Sequence, residues 1–374
     1  AILAQVALVC EVCVFWSFAP RVGIAVMQVH LVCVVFAVLL GGSVAQDMFL
    51  ASQAVGEETD TDCGMTFDVA SSTVSNQGKF AVWHEALQAV IFVDSPAFTP
   101  AWSGSIVYAY KPADGATFEV YRCDTCTVGS VMPRRLGGLV LAISIPSGTG
   151  FVSSVRTLDV DPNTFSGSNL QTVVDIPLDT KGKFNNGNCD PSGRLWVGTF
   201  DYGFEAENQG KVWVIEQQNA SFHLRVGIDG IGHPNGLVWN PEGTELLFSR
   251  TYANEVLRYQ YSLVDGTVAS PDQVVVGDSD VDLFDSMCGL TDGSFLVTEP
   301  GFWRLKHYNS DGSLRCVQNL PGQSVSKFVA SCTFGGGDLY VPTGRNGGDD
   351  AGPDGWVFRV RGVDGGLVSH ACDI

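Results

Sequence analysis

The sequence predicts an all-β protein folded as a six-bladed β-propeller, on three observations: a strand-rich composition, a unit of about fifty residues that recurs six times, and one turn design repeated inside that unit. The chain has 374 residues, 45% of them hydrophobic and 10% aromatic, with 43 Gly and only 16% charged residues. High Gly with few Lys and many Val, Phe and Trp favours strands and tight turns over helices.

The repeat is carried by short apolar strands: Val90-Ile91-Phe92-Val93, Leu139-Val140-Leu141, Leu195-Trp196-Val197, Leu246-Leu247-Phe248, Phe295-Leu296-Val297 and Leu339-Tyr340-Val341. Their centres at 91, 140, 196, 247, 296 and 340 are spaced by 49, 56, 51, 49 and 44 residues. Several follow a turn of one kind, as in Asp190-Pro191-Ser192-Gly193, Asn240-Pro241-Glu242-Gly243 and Thr291-Asp292-Gly293, whose residues suit a tight hairpin bend. An apolar strand precedes the turn, and a further pair often follows. A unit of up to four strands without an amphipathic helix cannot bury both faces alone and has to stack radially on its neighbours. Residues 65–374 are therefore read as the propeller. Thr66-Phe67-Asp68-Val69 is expected to close the ring beside Trp356-Val357-Phe358-Arg359-Val360.

Residues 1–26 precede the first Met, Met27, and read as an upstream extension of a gene model. Residues 27–45 read as a signal peptide: an apolar run from Leu31 to Leu40, then the small-residue stretch Gly41-Gly42-Ser43-Val44-Ala45. Residues 46–64 form a linker. The expected location is secreted or lumenal, with no membrane association after cleavage. The alternative is an anchor, because residues 22–46 carry no Asp, Glu, Lys or Arg and are long enough to span a bilayer.

A net charge of −19 without a basic aromatic cluster argues against nucleic acid as a partner. Of the cysteines, Cys189, Cys288 and Cys332 fall on buried strands and read as inert core thiols. Cys63 and Cys372 lie near the two ends of the domain and pair if those ends meet. Cys123-Asp-Thr-Cys126 reads as a loop disulfide or plain thiols rather than zinc ligands. Asn219-Ala220-Ser221 is the one glycosylation sequon.

In a propeller the innermost strands line a central channel, so polar residues opening those strands converge on one point. Here they are Lys79, Asn185, Asn186, Asn235 and Asp285. Amide and carboxylate oxygens are hard ligands of the type that suits calcium. Asn-Gly and Asp-Ser pairs are also plain turn formers. Their recurrence at one place in successive blades is what points to a site.

These stretches, above all Phe184 to Thr199, Pro234 to Phe248, Asp285 to Val297 and Ser331 to Val341, resemble the regucalcin, gluconolactonase and luciferin-regenerating enzyme family of six-bladed propellers, which includes metal-dependent lactonases. The resemblance implies a hydrolase that opens a small-molecule lactone, with a divalent metal, calcium or zinc, held by Asn185, Asn235 and Asp285. It also implies Lys183, Asn185 and Asn186 as substrate contacts and Asp285 as the catalytic group that activates water. Where the family carries a metal-binding Glu this chain has Lys79. An ammonium about 4 Å from a dication costs roughly 8 kcal/mol at an effective dielectric of about 20, which is about the whole free energy of micromolar binding. With Lys79 turned inward its ammonium takes the place of the cation and pairs with Asp285. With Lys79 turned outward a three-oxygen metal site survives. The rival to a lactonase is a propeller that has lost catalysis and serves as a binding or scaffold protein. His233 is read evenly as a channel residue or a loop histidine, His84 as facing solvent, and Asp201 as a lesser substrate contact. No Gly-x-Ser-x-Gly elbow supports a serine hydrolase.

Overall fold

A computed structural model describes residues 61–95, 104–148, 150–177, 182–201, 210–219, 221–277, 283–322, 324, 326–345 and 353–374. The upstream extension, the signal segment and most of the linker lie outside the described residues, as do Ala220 of the sequon and the side chain of Asp201. No helix among the described residues is long and apolar enough to cross a membrane.

Six antiparallel sheets follow one another along the chain as six blades. Their inner strands are Gln77–His84, Thr127–Pro133, Gly182–Cys189, Pro234–Trp239, Met287–Gly289 and, in the last blade, Phe328–Val329 with Thr333–Gly335. Each repeat strand named above is the second strand of its blade, and Ala89, Val90, Ile91, Phe92 and Val93 are all fully buried. Burial on both faces explains why these strands read as unbroken apolar runs rather than as alternating ones. Ring closure follows the expected route: Thr66–Ser71 pairs antiparallel with Val357–Arg361, with Phe67 opposite Val360.

The predicted turns have the chemistry that their residues imply. In Asp190–Gly193 the carboxylate accepts from the N–H groups of Ser192 at 2.9 Å and Arg194 at 2.8 Å. The other Asp190 oxygen accepts from Arg194 at 3.0 Å and from the hydroxyl of Tyr261 in the next blade. A turn residue thus also ties blades three and four, where fully buried Trp196 packs edge-on against Trp239 and Tyr261 with ring centroids 5.9 and 5.8 Å apart.

Apart from the Cys123–Cys126 loop disulfide, one of the two readings of that pair, the cysteines depart from expectation. Cys63 bonds to Cys316 and Cys372 to Cys189, while Cys288 bonds to Cys332 and Cys123 to Cys126. Cys189, Cys288 and Cys332 are therefore disulfide partners and not inert thiols. The Cys63–Cys372 pairing fails because the chain does not stop beside the closing strand. It runs on as a strap over residues 363–374. Thr291 N–H donates to Gly365 carbonyl, Leu367 N–H to Gly289 carbonyl, Cys372 N–H to Pro133 carbonyl and Asp373 N–H to Gly193 carbonyl, at 2.7 to 2.9 Å. The strap thereby passes from blade five to blades two and three. Gly366 sits flat on Phe334, whose ring would lie 2.0 Å from an added Cβ, so only Gly passes there. His84 is buried, not solvent-facing: its Nε2 lies 3.0 Å from the Gly138 carbonyl of blade two, and its Nδ1 accepts from Leu87 N–H at 3.3 Å.

The Cys189–Cys372 bond closes a loop across 183 residues of sequence. The double substitution Cys189→Ser with Cys372→Ser is expected to lower the unfolding free energy by about 2–5 kcal/mol, read as a lower midpoint in urea. An unchanged midpoint would mean that the backbone bonds alone hold the strap.

Candidate active site

All the inner strands run the same way, so their opening residues meet at one end of the channel. Lys79 in blade one pairs with Val93 and bridges to Ala330 of blade six. Lys183 and Asn185 in blade three pair with Phe200 and Gly198, after which a bulge leaves Asn186 out of register. In blade four Pro234 pairs with Arg250, and a second irregularity follows before Leu237. In blade five Asp285 is fixed by its N–H to the Thr298 carbonyl at 3.1 Å.

Asn185, Asn235 and Asp285 are brought together. Asn185 Nδ2 donates to the Pro234 carbonyl and to Asn235 Oδ1, both at 2.8 Å. A carbonyl can only accept, so this contact fixes which way the Asn185 amide faces. Asn235 Nδ2 donates to the Thr251 hydroxyl. Gly236 N–H donates to the Asp285 carbonyl at 3.0 Å, and Ser249 Oγ donates to the same carbonyl at 2.6 Å. The Pro-Asn-Gly element needs its glycine, because a Cβ at Gly236 would lie 2.8 Å from the Met287 backbone nitrogen.

Charge is concentrated at the same place. Burial pushes the Asp285 carboxyl up to about 7, with Lys79 pulling it back down. Burial also lowers the Lys79 ammonium, which the Asp285 charge partly restores. Lys79 is therefore turned inward, its Nζ 5.1 Å from the centroid of the Phe328 ring. Lys183 is held well below the ordinary lysine value by burial and then by Lys79. His233 is lowered to about 3 by burial, then by the two lysines, so it is neutral at physiological pH. Its ring lies 4.2 Å from that of Phe200.

Of the residues expected from sequence, Lys79, Lys183, Asn185, Asn235 and Asp285 share this hub. Asn186 does not open onto it. As the bulge residue, with φ at +51°, it lines a separate chamber on the strap side. His233, given no preference from sequence, belongs to the hub. The available signal was its place directly before the Pro-Asn-Gly element that opens the fourth inner strand.

The donor set can be weighed against a divalent cation. Asp285 and the amide oxygens of Asn185 and Asn235 are hard donors of the right kind. With the Lys79 ammonium at the hub, one carboxylate faces a positive group before any cation arrives. The three oxygens suit a dication when Lys79 is uncharged or replaced. Cys63, His307 and Cys316, whose candidate ligand atoms lie within 4.8 Å of one another, are the Cys/His cluster found among the described residues. Its two sulfurs are already joined to each other.

The family model described as the SMP-30/Gluconolactonase/LRE-like region matches residues 78–345. A Bacillus subtilis (strain 168) protein that carries the name of a sugar lactone lactonase, YvrE, is 32% identical over 180 residues, 43% of this chain and 54% of that protein. Pentonolactonase XacC of Haloferax volcanii is 26% identical over 309 residues, 78% of this chain and 89% of its own. Among solved structures, a luciferin-regenerating enzyme superposes with a TM-score of 0.69 at 18% identity, covering 83% of this chain and all of the other. A calcium-binding protein, regucalcin, from Agrobacterium tumefaciens does so with a TM-score of 0.67 at 16% identity, covering 83% of this chain and 98% of the other.

Proposed function

The chain belongs to the SMP-30/Gluconolactonase/LRE-like family, and from that premise we propose that it opens a lactone ring by adding water at the channel hub. The observation that carries the reading is a carboxyl group poised near neutrality beside an inward ammonium. A base works best when its pKa lies near the working pH. In this reading ionised Asp285 takes a proton from water as the oxygen attacks the lactone carbonyl. The Lys79 ammonium faces the oxyanion that forms, a fixed positive group in a site shielded from solvent. Collapse of the intermediate breaks the ring C–O bond, and the leaving alkoxide recovers the proton from Asp285. Lys183 and Asn185 orient the substrate through its hydroxyl and carbonyl oxygens. The relatives named as lactonases support the reaction class.

A second reading is favoured by the clustered oxygens and by the structural neighbour described as calcium-binding. Asn185, Asn235 and Asp285 would then hold a divalent cation, calcium or zinc, that supplies Lewis-acid polarisation of the carbonyl. One assay separates the readings. Purified protein is offered aldonolactones with chelator, then with calcium, zinc or manganese. Ring opening that survives chelation supports the lysine-based reaction, and turnover only with added metal supports the second. No turnover under any condition removes the enzyme and leaves a binding or scaffold propeller. We also infer a secreted or lumenal location, supported by the pairing of all eight cysteines among the described residues.

A further inference from the structure

Each inner strand continues from the hub toward the strap, and on that side the channel holds a second, partly open cavity of about 60 Å³. That is room for roughly two or three waters, or for one halide with a water. Asn186, Asn188, Ser286, Thr333 and the strap residues Ser369 and His370 contribute to its polar lining. No Asp or Glu is among the lining residues.

One buried donor in this lining, Asn186 Nδ2, has no hydrogen-bond acceptor. Asn186 is 7% exposed. The Asn186 amide cannot simply turn over, because its Oδ1 accepts the N–H of Gly187 at 2.8 Å and a flip would orphan that donor instead. Asn186 is the bulge residue of its strand and is held at φ +51°. A left-handed asparagine costs of order 1 kcal/mol or more and persists where the surroundings hold it. A buried donor left unmade costs about 1–3 kcal/mol. Such a donor beside an acid-free cavity calls for an acceptor that need not donate in return.

We propose that this chamber is a seat for a small monovalent anion, chloride in saline media, held by Asn186 Nδ2. The hydroxyls of Ser286, Thr333 and Ser369 can rotate to donate as well. In a chain of net charge −19 the seat is local, made by uncharged donors and by the exclusion of carboxylates from the lining. It is independent of lactone hydrolysis at the hub.

The test uses the whole folded protein. Crystals grown with bromide in place of chloride are expected to show an anomalous peak within hydrogen-bond distance of Asn186 Nδ2. At constant ionic strength, replacing methanesulfonate by chloride is expected to raise Tm saturably by about 2–4 °C, as for a ligand at about ten times its Kd. The gain is expected to vanish in Asn186→Asp, which keeps the Gly187 contact and turns the second donor into a repelling oxygen. A chamber without bromide, holding water only, overturns the proposal. So does a chloride-dependent gain that Asn186→Asp leaves intact. Should that variant fail to fold, the bromide map of the unaltered protein decides alone.

Discussion

Asp285→Asn is expected to lower kcat/KM for lactone hydrolysis by about 10²–10⁴-fold, the range for loss of a general base. The amide keeps the shape of the carboxylate and leaves the main-chain bonds to Gly236, Ser249 and Thr298 in place, so the circular dichroism spectrum and Tm are expected to stay near those of the parent. The pH profile adds a second readout. A carboxyl raised to about 7 is protonated and idle below that pH and ionised above it. Activity of the parent protein is therefore expected to climb as pH rises through about 7, about three units higher than an exposed carboxylate would allow. Retention of full rate in the Asn variant, or a rising limb near pH 4, would take Asp285 out of the reaction.

Lys79→Met is expected to reduce kcat by about 10²–10³-fold, the loss seen when one stabilising donor is removed from an oxyanion, with a smaller change in KM. Lys79→Glu goes further and changes the hub by two charge units. Two carboxylates and two amides then make a donor set for a hard dication, so this variant is expected to be inert in chelator and to gain calcium, zinc or manganese binding, measured by titration calorimetry. A parent protein that depends on metal and a Lys79→Met variant that works faster would reverse the assignment and give the lysine an inhibitory role.

The propeller was legible because its signals are local. Apolar runs, recurring turns and their spacing survive in sequence whatever the chain does at long range, and the closing strands, residues 66–69 beside 356–360, could be named from patterning alone. The hub was legible in part for the same reason: Lys79, Asn185, Asn235 and Asp285 each open an inner strand, and ring geometry makes them neighbours. What sequence did not give was the direction of individual side chains. Asn186 follows Asn185 directly, yet a one-residue bulge sends it to another chamber. Lys79 could point either way until the Asp285 charge was found acting on it. His84 looked like a polar residue beside Glu85, and only the fold places the Gly138 carbonyl over its ring nitrogen. The disulfides were the least legible. Their pairing depends on a tail that leaves its own blade and is fastened elsewhere, and nothing in the spacing of Cys63, Cys189, Cys316 and Cys372 records that route.

That fastened tail has a bearing on where the ring can part. It bonds to blades five, two and three, sheets that share no strand with one another. Separating those blades therefore requires the tail to let go as well as the side-chain packing between them.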